Sequence, residues 1–309
     1  MEKTQKKPDR LYELNDIVKI YESRSVKTPA LRGVNFEVNK GESILITGPS
    51  GSGKSTLLNI LGLLDVPTTG KFLISNEDAQ KWNKKYINRY KREFIGFVFQ
   101  NSNLFPNLTV WQNLWIELYD LGLDAEEKKE RIEMYLKMIG LSQKRHNYPD
   151  ELSGGQKQRV AVIAAVIKHP SVIIADEPTA ELDMQNKEKT IELLFKLQNL
   201  NPSLTIIVAS HDDIFKEKMQ RVINIVDGLI IKDGSPQISQ NKKLVTQNNE
   251  IFEFRKVLSC PNCGNHGIKK FQNDQNIRII DSKAIGLGTL YCDKCGFNES
   301  KEYILYIIK

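Results

Sequence analysis

A chain of 309 residues, 40% apolar and 27% charged, has the composition of a soluble globular protein with one large domain and a smaller one. Its net charge of +6 is explained better by a solvated surface than by a nucleic-acid-binding one, so no nucleic-acid partner is expected. The longest apolar run, Val160 to Ile167, is far shorter than the roughly 20 residues of a membrane-spanning helix, and the N-terminus lacks the apolar stretch of a signal peptide. We therefore expect a cytoplasmic protein that reaches a membrane only through a partner.

Residues 1–10 are predicted to form a disordered basic tail, and residues 11–235 a single α/β domain. In this domain nearly continuous apolar runs, such as Leu204 to His211, alternate with helical patterns, such as Lys187 to Leu200. Runs of this kind are typical of parallel strands that are covered by helices on both faces. The predicted fold class is therefore α/β with a mostly parallel sheet.

The first motif that carries chemistry, GPSGSGKST, lies between the apolar run Glu42 to Gly48 and the helical pattern Lys54 to Leu64. It matches G-x-x-x-x-G-K-[ST], the phosphate-binding loop (P-loop) in which backbone N–H groups and a helix N-terminus hold phosphates. Lys54 is expected to reach the β- and γ-phosphates, and Ser55 to ligate Mg²⁺. The predicted ATP contacts of the P-loop are Gly48, Ser50, Gly51, Gly53, Lys54, Ser55 and Thr56.

The segment Lys81 to Arg92 is basic and has aromatic residues at every fourth position, Trp82, Tyr86 and Tyr90. This spacing puts the three rings on one helical face. Contact with anionic lipid headgroups or nucleic acid is one interpretation. A packed aromatic stripe beside a solvated basic face is the interpretation we favour.

Helical patterns dominate residues 101–170, which predicts a helical subdomain. It contains LSGGQKQRV, Leu152 to Val160, which offers a hydroxyl, two glycine backbones and an amide ahead of an apolar helix. These are the parts of a second anion-binding site, although the P-loop already supplies one. The sequence therefore raises the question of which phosphate this second site serves.

Two adjacent carboxylates, Asp176 and Glu177, follow the apolar run that begins at Ser171. Adjacent carboxylates at the end of a strand are costly to place unless a cation or a water molecule uses them. Asp176 is expected to hold the water shell of Mg²⁺, and Glu177 to polarise the attacking water as general base.

Residues 236–250 are polar and weakly patterned and are predicted to link the α/β domain to a small β-rich domain, residues 251–309. All the cysteines lie there, in two C-x-x-C motifs separated by 28 residues and each followed by glycine. Four thiolates suit a structural Zn²⁺ site, and the domain resembles a zinc ribbon. Disulfides and bound iron are the alternatives. The predicted Zn²⁺ ligands are Cys260, Cys263, Cys292 and Cys295.

Together, the motifs of residues 11–235 resemble the nucleotide-binding subunits of ABC transporters, in the order and spacing of that family. The resemblance implies that Gln100 meets Mg²⁺ and senses a membrane partner, that Asp183 belongs to the D-loop, and that His211 is the catalytic switch histidine. Tyr21 resembles the aromatic residue that stacks on adenine. Each of these residues also has an alternative interpretation if it is considered without the other motifs. Gln100 would then be a surface amide, His211 a histidine at a strand end and Tyr21 a packed aromatic.

The same resemblance indicates which phosphate the second anion site at LSGGQ serves. In this family the LSGGQ signature serves ATP bound to another subunit, because two subunits meet head to tail. The resemblance therefore implies a dimer of this chain in which each ATP lies between two copies. The signature residues expected to contact that ATP are Ser153, Gly154, Gly155 and Gln156.

The segments LLNILGLLDVPTTGKFLI and FIGFVFQNSNLFPNLTVWQNL resemble the class that serves lipoprotein release and macrolide export. This implies a separate membrane permease of the FtsX/MacB-like type, docked near Leu104 to Trp115, and a peripheral position on the inner face of the cell membrane. The apolar candidates for this docking groove, which are alternatively core residues, are Phe105, Leu108, Val110 and Trp111.

The chain departs from the family at Ala164, where arginine is common, and this puts one supporting polar contact of the signature helix in doubt. The rival function is a soluble ABC ATPase that acts on nucleic acid or ribosomes and uses the zinc-ribbon-like domain for docking. Only about fifty residues separate Gln100 from Ser153, which leaves no room for a coiled-coil insertion and favours the transporter.

Overall fold

The computed structural model describes residues 9–23 and 26–234, and beyond them the backbone of strands at 244–245, 251–253, 268–280, 283–292 and 298–307. The chain divides into two units, Met1–Pro236 and Gln237–Lys309. Within the described residues, no helix is both long and apolar enough to cross a membrane.

The first unit contains both strands and helices. In order they are β1 (Arg10–Ser23), β2 (Val26–Asn39), β3 (Ser43–Thr47), α1 (Lys54–Leu61), β4 (Thr69–Ile74), β5 (Glu77–Asp78), α2 (Lys84–Phe94), β6 (Ile95–Val98), α3 (Val110–Glu117), α4 (Ala125–Met138), α5 (Gly154–Val166), β7 (Val172–Asp176), α6 (Met184–Leu200), β8 (Thr205–Ala209), α7 (Asp213–Lys218), β9 (Arg221–Val226) and β10 (Leu229–Gly234). Short 3₁₀ turns occur at Ala79–Lys81, Ser142–Lys144 and Pro149–Glu151.

A six-stranded sheet with the order β10-β9-β3-β8-β7-β6 forms the centre of this unit. All its neighbouring pairs are parallel except β10 with β9, which is antiparallel. The predicted apolar runs form β3, β7 and β8, and nearly all their residues are buried. The prediction of a mostly parallel sheet is confirmed. Its topology places the carboxyl ends of these strands, and the motifs that follow them, at one edge of the sheet.

A second, antiparallel sheet has the strand order β2-β1-β4-β5. Its inner face shares a hydrophobic core with α1 and β3, in which Leu14, Phe36 and Phe72 pack with Leu57 of α1 and Ile44 of β3. Burial of these side chains removes apolar surface from water, which stabilises the position of α1 and of the P-loop before it.

Helices α3, α4 and α5 lie between β6 and β7 in the chain. They share a hydrophobic core with α6 through buried residues such as Leu114, Ile132, Val160 and Leu194. Capping boxes start α3 at Thr109 and α4 at Asp124, because each cap side chain accepts a backbone N–H that the helix leaves free.

The rings of the basic segment pack as a stripe, as favoured above. Ring centroids are 4.7 Å apart for Trp82–Tyr86, 5.0 Å for Trp82–Tyr90 and 4.8 Å for Tyr90–Phe94. Trp82 and Tyr90 are half-buried against the core of the antiparallel sheet. One detail of the prediction is wrong: Trp82 precedes α2, because Asn83 caps the helix, and only Tyr86 and Tyr90 lie on it.

In the second unit, strands β11 (Leu244–Val245), β12 (Ile251–Glu253), β13 (Ile268–Ile280), β14 (Lys283–Cys292) and β15 (Asn298–Ile307) form a sheet. Its order is β11-β12-β15-β14-β13, and every pair is antiparallel. Cys292 ends β14 opposite Ile268 of β13. The other predicted Zn²⁺ ligands, Cys260, Cys263 and Cys295, lie outside the described residues.

Candidate nucleotide-binding and hydrolysis site

The P-loop connects β3 to α1, and two of its glycines set its path. Gly48 has a φ of 147° and Gly53 a φ of 105°, which residues with side chains rarely adopt. A Cβ on Gly48 would lie 2.0 Å from the carbonyl oxygen of Ile225, and one on Gly53 would lie 2.5 Å from that of Ala30. The backbone of the loop can approach its neighbours this closely only because both residues are glycine.

Lys54 brings a positive charge into the loop. It is 8% exposed, and its Nζ donates hydrogen bonds to the carbonyl oxygens of Gly48 at 2.8 Å and Pro49 at 3.0 Å. Helix α1 has no side-chain cap and no acidic residue in its first turn, whereas α2 to α6 are each capped by a side chain. The N-terminus of α1 is therefore suited to bind an anion.

The side chains around the P-loop offer the oxygen donors that Mg²⁺ prefers. The hydroxyl-bearing Ser55 is exposed, Asp176 is half-buried at the end of β7, and Gln100 is exposed two residues beyond β6. Ser52 adds a buried hydroxyl that has no hydrogen-bond partner in the described part of the chain. These donors fit a nucleoside triphosphate with a hard divalent cation.

Glu177 and His211 are brought together at the carboxyl ends of the neighbouring strands β7 and β8. The Nε2 of His211 lies 3.5 Å from Oε1 of Glu177, and the side chains are 56% and 20% exposed. Glu177 has a φ of 46°, a strained conformation for a residue with a side chain, and its N–H donates to the carbonyl of Ala209 at 2.8 Å. This hydrogen bond to β8 holds the carboxylate beside the histidine.

Asp212 and its partners, which no sequence pattern identifies, fix the segment around His211. Asp212 forms an ion pair with Lys187 Nζ at 2.8 Å and accepts a hydrogen bond from Thr179 Oγ1 at 3.3 Å, and its N–H donates to Ser210 Oγ at 3.1 Å. These contacts connect the end of β8 to the segment after β7 and to α6. The motif SHD contains Asp212, but no pattern in the sequence identifies its partners.

Gln100 lies between the sheet and the segment after β7. Its Nε2 is 3.4 Å from Oε1 of Glu181, which is the long end of hydrogen-bonding distance. The adjacent Phe99 accepts a hydrogen bond through its carbonyl from Gln158 of α5, at 3.1 Å. The segment that carries Gln100 is therefore attached to the signature helix.

The signature begins α5, and its polar side chains cap that helix. Ser153 Oγ accepts from the N–H of Gln156 at 3.3 Å, and Gln156 Oε1 accepts from the N–H of Ser153 at 3.1 Å. Lys144 Nζ also lies 3.4 Å from Gln156 Oε1. Within the described residues, none of these hydrogen bonds reaches the P-loop.

Asn186 joins the signature to the D-loop and was not predicted. A Cβ on Gly155 would lie 2.2 Å from Cγ of Asn186, whereas one on Gly154 would have Leu182 Cδ2 as its nearest atom, at 3.9 Å. Asp183 caps α6 by accepting from the N–H of Asn186, and the side-chain amide of Asn186 also donates to it at 2.6 Å. These hydrogen bonds lower the pKa of Asp183.

Tyr21 lies on β1 and is 42% exposed. Its hydroxyl donates to Asp65 Oδ2 at 2.8 Å, and the side chain of Thr56 in α1 is close enough to influence the pKa of that hydroxyl. The ring predicted to stack on adenine is thus next to the helix that begins in the P-loop.

A pocket of about 190 Å³ lies where the predicted docking segment meets β6 and α5. Phe105 is 52% exposed at this pocket, and Leu108 and Trp111 are half-buried. The prediction for Val110 is wrong: it is fully buried, because it starts α3 and packs in the helical core. The apolar residues that line the pocket are Phe97, Phe99, Leu104, Phe105, Ala161, Ala164 and Ala165.

One wall of this pocket carries an ion pair. Lys168 Nζ lies 3.7 Å from Oε2 of Glu117, and the side chains are 10% and 34% exposed. Burial lowers the pKa of Lys168 and raises that of Glu117, while the attraction between the two charges opposes both shifts. The pocket therefore combines apolar walls with a partly buried pair of opposite charges.

Comparisons with known proteins agree with this geometry. The ABC transporter family profile matches residues 31–180. An uncharacterized ABC transporter ATP-binding protein of Thermotoga maritima is 43% identical over 221 residues, which cover 72% of this chain and 94% of that protein. The lipoprotein-releasing system ATP-binding protein LolD of Bacteroides thetaiotaomicron is 40% identical over 223 residues, covering 72% of this chain and all of LolD.

Longer relatives and solved structures match the same region. The macrolide export ATP-binding/permease protein MacB of Bdellovibrio bacteriovorus is 34% identical over 240 residues, and the match covers 36% of MacB. The dimeric ATP-binding cassette MJ0796 in a post-hydrolysis state, bound to ADP and Pi, superimposes with a TM-score of 0.68 at 37% identity, over 74% of this chain and 99% of that one. The chain therefore belongs to the ATP-binding subunits of ABC transporters, and the reaction at its P-loop site is the hydrolysis of ATP.

Proposed function

We propose that two copies of this chain associate head to tail, with each ATP held between the P-loop of one copy and the signature residues 153–156 of the other. The observation that carries this proposal is that the signature residues at the start of α5 make local hydrogen bonds, none of which reaches the P-loop before α1 in the described residues. The dimeric state of the MJ0796 cassette supports it. Hydrolysis removes the γ-phosphate that both copies contact, and the copies then separate.

The dependence of the ATPase rate on protein concentration tests this arrangement. A site shared between two copies predicts that the rate per chain rises with concentration and then reaches a plateau. A rate per chain that stays constant across the whole range, with light scattering showing only monomers during turnover, would contradict a shared site.

Within each shared site, Glu177 is the general base that accepts a proton from the attacking water, and His211 orients the carboxylate of Glu177. Ser55, Asp176 and Gln100 would hold Mg²⁺, which would neutralise charge on the phosphates. Tyr21 stacks on the adenine, and Asp183 lies at the junction of the two copies.

The partner of the dimer is an integral membrane permease that docks near Leu104–Trp115, so the protein works on the inner face of the cell membrane. The relatives LolD and MacB are named for lipoprotein release and for macrolide export with a permease. The pocket beside exposed Phe105 supports this site, because it offers apolar surface and a polar end to an inserted side chain. Phe97 of β6 lines the pocket, and Gln100 follows the same strand. Permease docking at the pocket can therefore affect the hydrolysis site through this short segment.

We further propose the domain limits 11–235 for the cassette, with its helical subdomain at 101–170, after a tail at 1–10. A linker at 236–250 leads to a zinc-ribbon-like domain at 251–309, in which two C-x-x-C motifs bind one Zn²⁺ through four thiolates. The spacing of the cysteines and the antiparallel strands around Cys292 support this reading.

A further inference from the structure

A hydrogen-bonded cluster beside the P-loop connects Tyr21 to the segment after α1. The carboxylate of Asp65 accepts from Tyr21 Oη at 2.8 Å and from Lys19 Nζ at 2.5 Å. Lys19 also donates to the carbonyl of Val66 at 2.9 Å, and the N–H of Val66 donates to Asp65 at 2.7 Å. One carboxylate therefore binds two side chains of β1 and the backbone of its own segment.

Lys19 and Asp65 of this cluster are largely buried, whereas Tyr21 is exposed to solvent. The side chains of Lys19 and Asp65 are 12% and 23% exposed, while Tyr21 is 42% exposed. Lys19 Nζ lies 4.9 Å from the centroid of the Tyr21 ring, so one face of the ring has a cation against it. Burial opposes ionisation of Asp65, but hydrogen bonds from Lys19 and Tyr21 outweigh it and lower the pKa of this carboxyl.

We propose that Asp65 is a positioning residue for the nucleotide base, which holds the Tyr21 ring in the orientation that stacks on a purine. The proposal rests on the proposed stacking role of Tyr21. A half-exposed tyrosine loses rotamer freedom when a ligand orders it, and a hydrogen bond that orders it beforehand removes this cost from binding. The side chain of Thr56 in α1 is close enough to influence the pKa of the Tyr21 hydroxyl, so the ring lies next to the helix that follows the P-loop.

This role predicts that loss of Asp65 weakens binding of the nucleotide base and leaves binding of the phosphates unchanged. The test measures dissociation constants of the full chain for ATP and for inorganic tripolyphosphate, which has no base. In Asp65→Ala we expect ATP to bind roughly three- to tenfold more weakly, as the ordering of one side chain implies, and tripolyphosphate to bind unchanged. Tyr21→Phe keeps the ring and removes the hydroxyl, so it should show a similar loss that does not add to that of Asp65→Ala.

Glu22→Ala is the matched control, because it removes an exposed carboxylate from the same strand, where Glu22 pairs with Lys27 at 2.7 Å. It should change neither constant. Equal weakening of ATP and tripolyphosphate in Asp65→Ala would show a general effect on the P-loop and overturn the proposal.

Tyr21→Ala separates this proposal from its premise. If Tyr21→Ala weakens ATP but not tripolyphosphate while Asp65→Ala and Tyr21→Phe change nothing, stacking holds and the positioning role of Asp65 is wrong. If Tyr21→Ala leaves the ratio of the two constants unchanged, both stacking and positioning are wrong. Tyr21→Phe decides the outcome even if Asp65→Ala does not fold.

Discussion

Glu177 shows how one residue position combines strain with chemistry. Its positive φ turns the chain directly after β7, and the N–H bond to Ala209 offsets the strain by tying the turn to β8. The carboxylate then lies 3.5 Å from His211 and one residue after Asp176, at the strand edge that also carries the P-loop.

We expect Glu177→Gln to bind ATP normally and to hydrolyse it slower by several orders of magnitude, because an amide cannot accept the proton of the attacking water. The dimer should then persist in Mg-ATP, as measured by size-exclusion chromatography. Glu188→Gln removes an exposed carboxylate of α6 outside the site and should behave as wild type. A Glu177→Gln chain that turns over at the wild-type rate would exclude Glu177 as the base.

Gly155 tests how tightly the signature packs on the D-loop. Gly155→Ala puts a Cβ 2.2 Å from Cγ of Asn186, which is held by Asp183, so we expect a loss of about 1–3 kcal/mol in the free energy of unfolding. In Gly154→Ala the nearest contact is 3.9 Å, so its stability should not fall. Chemical denaturation of both variants checks this, and equal stabilities would contradict the packing described.

At the residue scale, the candidate groups of the P-loop, Asp176 and Glu177 could be named from the sequence, because their spacing along the chain is itself the pattern. The sequence did not predict Asn186 or Asp212, because their roles come from contacts with residues distant in the chain. The positive φ of Glu177 could not be predicted from the sequence either, because a glutamate does not indicate a left-handed backbone conformation as a glycine does.

At the scale of elements, the apolar runs predicted β3, β7 and β8 because central parallel strands are buried on both faces. The same apolar composition misled the prediction in the segment Leu104 to Trp115. There, Val110 packs in the core, while Phe105, five residues earlier, is exposed at the pocket. Composition alone cannot separate the two, since only the path of the chain before α3 decides which side chain faces inward.

The pocket gives a prediction at this scale. Phe105→Ser removes the exposed ring beside it and should weaken association with the permease isolated with the wild-type chain from membranes. Tyr119→Ser is the control, because Tyr119 is 66% exposed just after α3 but does not line the pocket. Quantitative co-purification measures both. Equal recovery of the permease by Phe105→Ser and wild type would show that docking occurs elsewhere.

At the scale of the whole molecule, the chain consists of two units, and every motif that we propose to contact nucleotide lies in the first. The proposed zinc-ribbon-like domain is short, so we expect metal binding to supply much of its folding free energy. A chelator should therefore unfold residues from about 251 onward, while ATP binding by the first unit survives.

Metal analysis tests this expectation directly. The full chain, purified under reducing conditions, should contain one Zn²⁺, and a truncation at about residue 240 should contain none. Equal zinc in both proteins, or none in the full chain, would contradict the assignment of Cys260, Cys263, Cys292 and Cys295.

The central claim is that each ATP is shared between two copies, and mixed dimers test it most directly. Lys54→Ala disables the P-loop of each copy that carries it, and Ser153→Arg disables the signature. A dimer of two identical variant copies therefore has both of its shared sites damaged. In a mixed dimer both lesions fall in one shared site and the other stays intact. We predict that mixing two folded, inactive variants restores part of the ATPase rate. A mixture that forms mixed dimers and stays inactive would contradict the shared site.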